Sequence, residues 1–551
     1  MPVLPRFGEQ ALWRLSRSVD IQTRIPAIRT DFDWTALSIR GAGISAVVLF
    51  LWMVGQFWHP VFGFTSFIEL DSTNEDRKID AFKSLPVYVY EGGGYDGLSY
   101  AQIAYHPTLT SPELARALGS PAYRARRILA PALAYVIALG SPAWIVHVYS
   151  LLNPAFWLLL ATVLWRLLPV RDWRSWLAWA GVLFSSGAMS SVRLALTDLV
   201  ALAILAGALA YAERARQAGD TLAAGIVAAA ALARETSLLA IAAIVQPPWI
   251  SWRNAWRVAL AAAPLAIWSA YVSWVLGNEE TGLSQFALPF AGLVGKIGAD
   301  LAAVRDHTGS SFAWTTMFTT AGLIVQATFF ATRLRFRDAW WRAGAVYALM
   351  MIVLGMRVWE GFPGAAARVL LPMGLAFNVV ATRSGARLIW LLAGNLAVLN
   401  GLQVIRDVPD NPHELGAGHA GGAAIVARSG GDWYGVDRDS RHRRAWSPWR
   451  GEIDLETWPH DTRTVSLVAS VRSLAPIVLT VRQNDAVVWR NTILPSFPRP
   501  MKLEVSCSVR GGHGHLELLA SASGQLEPPI VQDRPPVFAV EDVRFVGAPG
   551  E

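Results

Sequence analysis

Long stretches without charge alternate with short arginine-bearing ones along most of this chain. Residues 43–68 contain no Asp, Glu, Lys or Arg, and neither do 128–165, 175–192, 199–212, 236–252, 258–278, 307–332, 369–382 and 388–405. A helix of about 20 mostly apolar residues spans the hydrocarbon core of a bilayer. The pattern over 43–405 therefore predicts an all-α polytopic membrane domain with about ten to thirteen membrane segments.

The polar interruptions orient these segments. The first 42 residues are polar and carry Arg6, Arg14, Arg17, Arg24, Arg29 and Arg40, which reads as a cytoplasmic segment without a cleavable signal. Five connections, 166–174, 213–220, 253–257, 333–342 and 383–387, hold 13 arginines and are expected on the same side. That arrangement requires 128–165 to make one net crossing, with a short helix around Pro131 beside a full span. It also requires 221–252 to enter and return, turning near Arg234 and Glu235, because charge at membrane depth marks a break enclosed by protein. The outer side then receives 69–127, 277–306, 357–368 and everything after about 406.

From there the period changes. Residues 406–432 read as a linker, glycine-rich over 413–431. Short runs at 464–470, 476–483, 486–493, 501–509, 513–520 and 536–546 have strand composition, with Asn484-Asp485 as a tight turn. Residues 433–551 are thus expected to form an extracytoplasmic all-β sandwich.

Composition agrees with a membrane setting. Of 551 residues 53% are hydrophobic and only 16% charged, against about 25% charged in soluble domains, and mean hydropathy is +0.34. The net charge of +7 is scattered between apolar runs, which argues against a nucleic-acid partner. One cysteine, Cys507, excludes an internal disulfide framework and a thiolate zinc site. The 25 tryptophans suit membrane interfaces. The histidines show no metal-ligand spacing; His513 and His515 would share a strand face, but nothing nearby completes a site.

Candidate chemistry concentrates in the first outer loop, at Glu91-Gly92-Gly93-Gly94-Tyr95-Asp96-Gly97-Leu98-Ser99-Tyr100. Glycines on both sides of Asp96 permit positive φ and close approach to a ligand. Asp96 has two readings, a helix N-cap or a reactive carboxylate. Arg126, Arg127 and Arg368 sit where outer segments meet the membrane, and either bind an anion or snorkel. Arg193 pairs with Asp198 or faces a ligand, while Arg234 and Glu235 are expected to compensate each other. Glu360 orients an arginine or binds ligand hydroxyls; Tyr95 and Trp359 stack on a ligand ring or anchor at the interface.

The stretch Gly94-Tyr95-Asp96-Gly97 followed by Tyr100, just after a first span, resembles the first outer loop of the GT-C superfamily, the polyprenyl-phosphate-sugar-dependent glycosyltransferases. The likeness is greatest to its bacterial cell-surface glycopolymer branch. Arg126-Arg127-Ile128-Leu129-Ala130-Pro131, Ala233-Arg234-Glu235-Thr236, and Trp359-Glu360-Gly361 followed by Arg368-Val369-Leu370-Leu371-Pro372 fit the same resemblance. It departs at His106, where such loops more often carry an acid.

The resemblance implies a transferase of the cell (inner) membrane. Its donor would be a polyprenyl-phosphate sugar, and its acceptor a glycan or lipid-linked glycan of the envelope. Asp96 would be the base, Arg127 and Arg368 would hold phosphate, and Tyr100 would support the aspartate or the donor. No cofactor and no obligatory metal are implied. The alternative from another class is a lipid or glycan transporter, or a non-catalytic envelope-assembly protein. It lacks support in an inverted repeat.

Overall fold

The computed structural model describes residues 34–546 except 74, 91–92, 169, 278–282, 361–364, 410, 432, 435, 439–442, 496–499 and 523–536. The arginines of segment 1–33, Glu91-Gly92 of the loop stretch and Gly361 lie outside the described residues. Before residue 406 the described chain is mostly helical, and after it mostly strand. Among the described residues three helices, Thr35–Gly55, Pro142–Leu167 and Trp252–Leu276, are long and apolar enough to cross a membrane by length and composition.

The first helix, Trp34–Gly55, starts well before the charge-free run, takes in Arg40, and stops at Gly55. Absence of charge marks an apolar stretch, not a helix. Pro60 cannot continue one, and Gly63 at φ 57° closes a hairpin in which His59 and Gly63 exchange backbone bonds of 2.9 and 2.8 Å. Later, the short helix Leu129–Ile137 is followed by a turn through Leu139 and Gly140, and then by the 26-residue helix Pro142–Leu167.

The segment Asp198–Ala233 is helical along 36 residues. A straight helix of that length would hold its ends about 54 Å apart. Yet Arg234 Nε and Asp198 Oδ1 lie 3.3 Å apart, so the segment doubles back within its length. The returning limb, Asp220–Ala233, is apolar. Asp220 anchors its base by pairing with Arg257 at 2.8 Å and accepting from Gln246 Nε2 at 3.0 Å. The helical region shares one core with Phe50, Trp157, Trp179, Tyr347 and Phe377 fully buried in it.

Two short strands of the outer loop, β1 (Leu70–Asp71) and β2 (Val89–Tyr90), pair in parallel. The C-terminal region holds eleven more: β3 (Glu414–Ala420), β4 (Ala423–Gly430), β5 (Val436–Arg438), β6 (Arg443–Ser447), β7 (Arg450–Trp458), β8 (Arg463–Ser473), β9 (Ile477–Gln483), β10 (Ala486–Ile493), β11 (Met501–Val509), β12 (His513–Ala522) and β13 (Phe538–Val546). They form two antiparallel sheets, ordered β10-β9-β12-β7-β4-β3 and β11-β8-β13-β6-β5. Leu455, Val481 and Leu518 of the first meet Leu467, Val505 and Val540 of the second in one apolar core. Asn484 and Asp485 both take positive φ, as a two-residue hairpin turn requires.

The linker reading of 406–432 is corrected by β3 and β4. Glycine and alanine there build a hairpin, turning at Gly421 and Gly422 (φ 54° and 70°), whose second strand pairs with β7. The β region therefore begins near 414, not 433. Small residues mislead because they suit a strand packed closely on a neighbour as well as they suit a loop.

This β region rests on the outer loop. Val61, Phe62 and Tyr88 pack against Ala424, Val426 and Trp458. Beside them His59 Nδ1 accepts the backbone N–H groups of Val61 and Phe62, so its proton lies on Nε2, which donates to Glu414 at 2.9 Å. Glu414, 1% exposed, also pairs with Arg443. Burial alone would raise its carboxyl, but the His59 bond and the Arg443 guanidinium outweigh that and hold it at about 2, against an ordinary 4.5. A depressed carboxylate stabilises the fold above its ordinary value and loses that effect as pH falls. Glu414→Gln should therefore cost about 3 kcal/mol at neutral pH. In thermal melts the gap from wild type should close as pH drops from 4.5 towards about 2.

Candidate active site in an arginine-lined cavity

The helix Asp96–Tyr105 begins at the aspartate itself; Tyr95 is its N-cap residue and makes no side-chain capping bond. Asp96 thus stands in the first turn, where a negative charge is favoured by the helix dipole. The flanking glycines serve close packing rather than positive φ. A Cβ on Gly97 would lie 2.2 Å from the Leu194 carbonyl oxygen, and one on Gly94 2.6 Å from that of Glu69. Their approach is to protein backbone, which fixes the start of the helix.

Asp96 is held from one side. Arg124 Nε and Nη2 both donate to Oδ1, at 3.1 and 3.0 Å, and Oδ2 has no hydrogen-bond partner among the described residues. The carboxylate opens onto a cavity of about 450 Å³, also lined by Tyr95, Tyr123, Arg127, Arg234, Arg357 and Arg368, with Ser284 and Gln285 at another wall.

Each cation has its own setting. Arg127, 4% exposed, donates through Nε to both oxygens of Glu235, through Nη1 to Tyr100 at 2.5 Å and through Nη2 to Tyr123 at 2.8 Å. Asp198 lies between two guanidiniums, Arg234 at 3.3 Å and Arg368 at 3.7 Å. Arg368 Nη2 donates to Tyr95 at 2.7 Å, while its Nε is buried with no hydrogen-bond partner among the described residues. Gly187 lets this arginine in, since a Cβ there would meet the Ala367 carbonyl at 2.5 Å and Arg368 Cα at 3.0 Å. Arg357 is exposed and bonds to no described residue. Counting the lining groups with their ion-pair partners, Arg124, Arg127, Arg234, Arg357 and Arg368 face Asp96, Asp198 and Glu235.

The sequence-derived candidates therefore divide. Asp96, Tyr95, Arg127 and Arg368 meet at the cavity. Tyr100 lies beneath it, 1% exposed and spent on Arg127. Arg193 lies elsewhere and does not pair with Asp198; it binds Glu69 at 3.1 Å, the Tyr90 hydroxyl at 2.9 Å and the Asp407 carbonyl at 2.9 Å. Arg126 and Glu360 do not line the cavity; Glu360 is exposed, and Arg126 Nε is buried without a partner. Trp359, 2% exposed, is packed away from any ligand. Arg234 and Glu235 form no direct ion pair; Arg234 pairs with Asp198 and Glu235 with Arg127, although their opposite charges remain close enough to favour each other.

Arg124, Tyr123, Gln285 and Arg357 were missed. The run Tyr123-Arg124-Ala125-Arg126-Arg127 carried a signal, since three arginines in four positions just before an apolar span cannot all face lipid headgroups. Among the described residues no three of His, Cys, Asp and Glu lie close enough together to hold a metal ion.

No known protein family and no curated relative matches the chain. Among solved structures, one that resembles it is the arabinosyltransferase EmbB from Mycobacterium smegmatis, at 12% identity and a TM-score of 0.25. The alignment covers 97% of this chain and 66% of that one. A likeness this slight establishes neither fold nor function. What the cavity can do rests on its own groups: one carboxylate with an oxygen that no described residue binds, and guanidiniums with donors unused among the described residues.

If Asp198 holds this wall together, Asp198→Asn should destabilise the protein by about 3 kcal/mol, because two buried guanidiniums would then face each other uncompensated. Glu360→Gln should stay within about 0.5 kcal/mol of wild type. Thermal unfolding of both variants in detergent checks the contrast.

Proposed function

We propose that the protein is a polytopic membrane glycosyltransferase of GT-C type. It moves a sugar from a polyprenyl-phosphate donor to a cell-envelope glycan or lipid-linked acceptor on the extracytoplasmic face. The N-terminal segment lies in the cytoplasm, and the C-terminal region, a β-sandwich in this reading, lies outside over the outer loop. The observation that carries the reading is Asp96 Oδ2, without a hydrogen-bond partner among the described residues, in one cavity with Arg357 and Arg368.

In this mechanism the acceptor hydroxyl oxygen attacks the anomeric carbon and gives its proton to Asp96 Oδ2. The bond from that carbon to the phosphate oxygen breaks, and its electron pair leaves with the polyprenyl phosphate. Attack opposite the departing group inverts the anomeric centre. Arg124 keeps the carboxylate aimed by gripping only Oδ1, which is positioning rather than proton transfer. Arg368 and Arg357 offer unused N–H donors to the phosphate, and Arg127 adds charge from behind Tyr123. The resemblance of the Tyr95–Tyr100 stretch to the first loop of that superfamily points the same way.

The test is transfer of label from polyprenyl-phosphate sugar into envelope glycan, in membranes lacking the endogenous protein. Asp96→Asn should lower the rate about a hundredfold or more at matched expression. Arg368→Met should lower it about tenfold or more. Wild-type rates in Asp96→Asn would overturn the reading.

A further inference from the structure

Tyr123 accepts from two donors and gives its own proton to none of the described residues. Its hydroxyl oxygen accepts from Arg127 Nη2 at 2.8 Å and from Gln285 Nε2 at 2.7 Å. A phenol has one O–H donor and two acceptor sites. With both acceptor sites filled, the hydrogen is directed away from both, and the side chain lines the same cavity as Asp96.

We propose that Tyr123 donates a hydrogen bond into the cavity, to the phosphate oxygen that gains charge as the glycosyl bond breaks. This rests on the glycosyl-transfer reading and adds to it a neutral, directional donor among the guanidiniums. Two inward bonds polarise the O–H group, so its outward bond is strengthened.

The groups facing the phenol make the role testable. Arg127, Arg234, Glu235 and Tyr100 lie close enough to act on its charge, and Gln285 bonds to its oxygen. Burial would raise the phenol, but the two guanidiniums and the Gln285 bond outweigh it, and Tyr123 sits below the ordinary tyrosine value. Burial pushes Tyr95 and Tyr100 the other way. Below its own value Tyr123 keeps its proton and donates; above it, a phenolate has nothing to donate and repels an anion. Affinity for a phosphate should therefore fall as pH rises.

The experiment is calorimetric binding of a polyprenyl monophosphate to the purified full chain between about pH 8 and about pH 10, where a phosphate monoester stays fully ionised. Wild type should lose affinity at least about twofold towards the alkaline end. Tyr123→Phe should bind about tenfold to a hundredfold more weakly at the lower end and show no alkaline fall. Gln285→Leu, which removes one of the two polarising donors, should move the fall to higher pH. Tyr123→Phe binding as wild type does, or keeping the alkaline fall, would overturn the role of Tyr123 and leave the glycosyl-transfer reading standing. No binding by wild type would overturn both.

Discussion

Burying guanidinium groups near the base of a cavity is the constraint from which much of this structure follows. Taking an ionised group out of water costs several kcal/mol, so each needs a carboxylate placed well enough to offset the loss. Asp198 does this for two arginines at once, Arg234 at 3.3 Å and Arg368 at 3.7 Å. Asp198 opens a helical segment, Arg234 follows its return, and Arg368 belongs to the short helix Ala365–Val369. One carboxylate thus ties three separate parts of the chain to one point. A second pair, Arg127 with Glu235, ties the outer loop to the residue next to Arg234.

The same pairing shapes the site. Because Asp198 and Glu235 compensate from behind, the guanidiniums they hold keep some N–H groups turned towards the cavity. Asp96 is handled differently: its partner, Arg124, binds only one oxygen and leaves the other open. The β region joins this assembly without contributing to the cavity lining. It seats on the hairpin of His59 through Glu414, and Arg193 fastens β2 and the Asp407 carbonyl to the base of the same loop.

What the sequence revealed follows from how local each feature is. The helical character of the described residues before 406 and the strands after 463 come from runs of apolar residues and from period-two alternation, both readable in a short window. Asp96, Tyr95 and Arg368 were legible because glycine, aromatic and arginine residues sit at segment boundaries. The ion pairs were not. Arg234 takes an extended conformation (φ −151°, ψ 118°) between two helical stretches, so it and Glu235 diverge although they are neighbours in sequence. Their partners, Asp198 and Arg127, are distant, and only the doubled-back helix brings them close. Residues 414–430 failed for another reason: glycine and alanine carry almost no periodic signal, and their strand character comes from pairing with β7.

The charge left over at the cavity bears on how the proposed reaction would be accelerated. Among the described residues five guanidiniums there face three carboxylates, an excess of two positive charges. A polyprenyl-phosphate sugar is a phosphodiester with a single charge. The polyprenyl phosphate that leaves is a monoester carrying close to −2. A fixed excess of positive charge binds the departing group more strongly than the donor, and only such differential binding speeds the chemical step. Pre-set arginines achieve this without reorganising as the bond breaks. An ordinary ion-pair network would tend towards neutrality. That the described part of this one stops short, beside a carboxylate oxygen with no partner among the described residues, supports the proposed reading of the cavity as a place where negative charge develops.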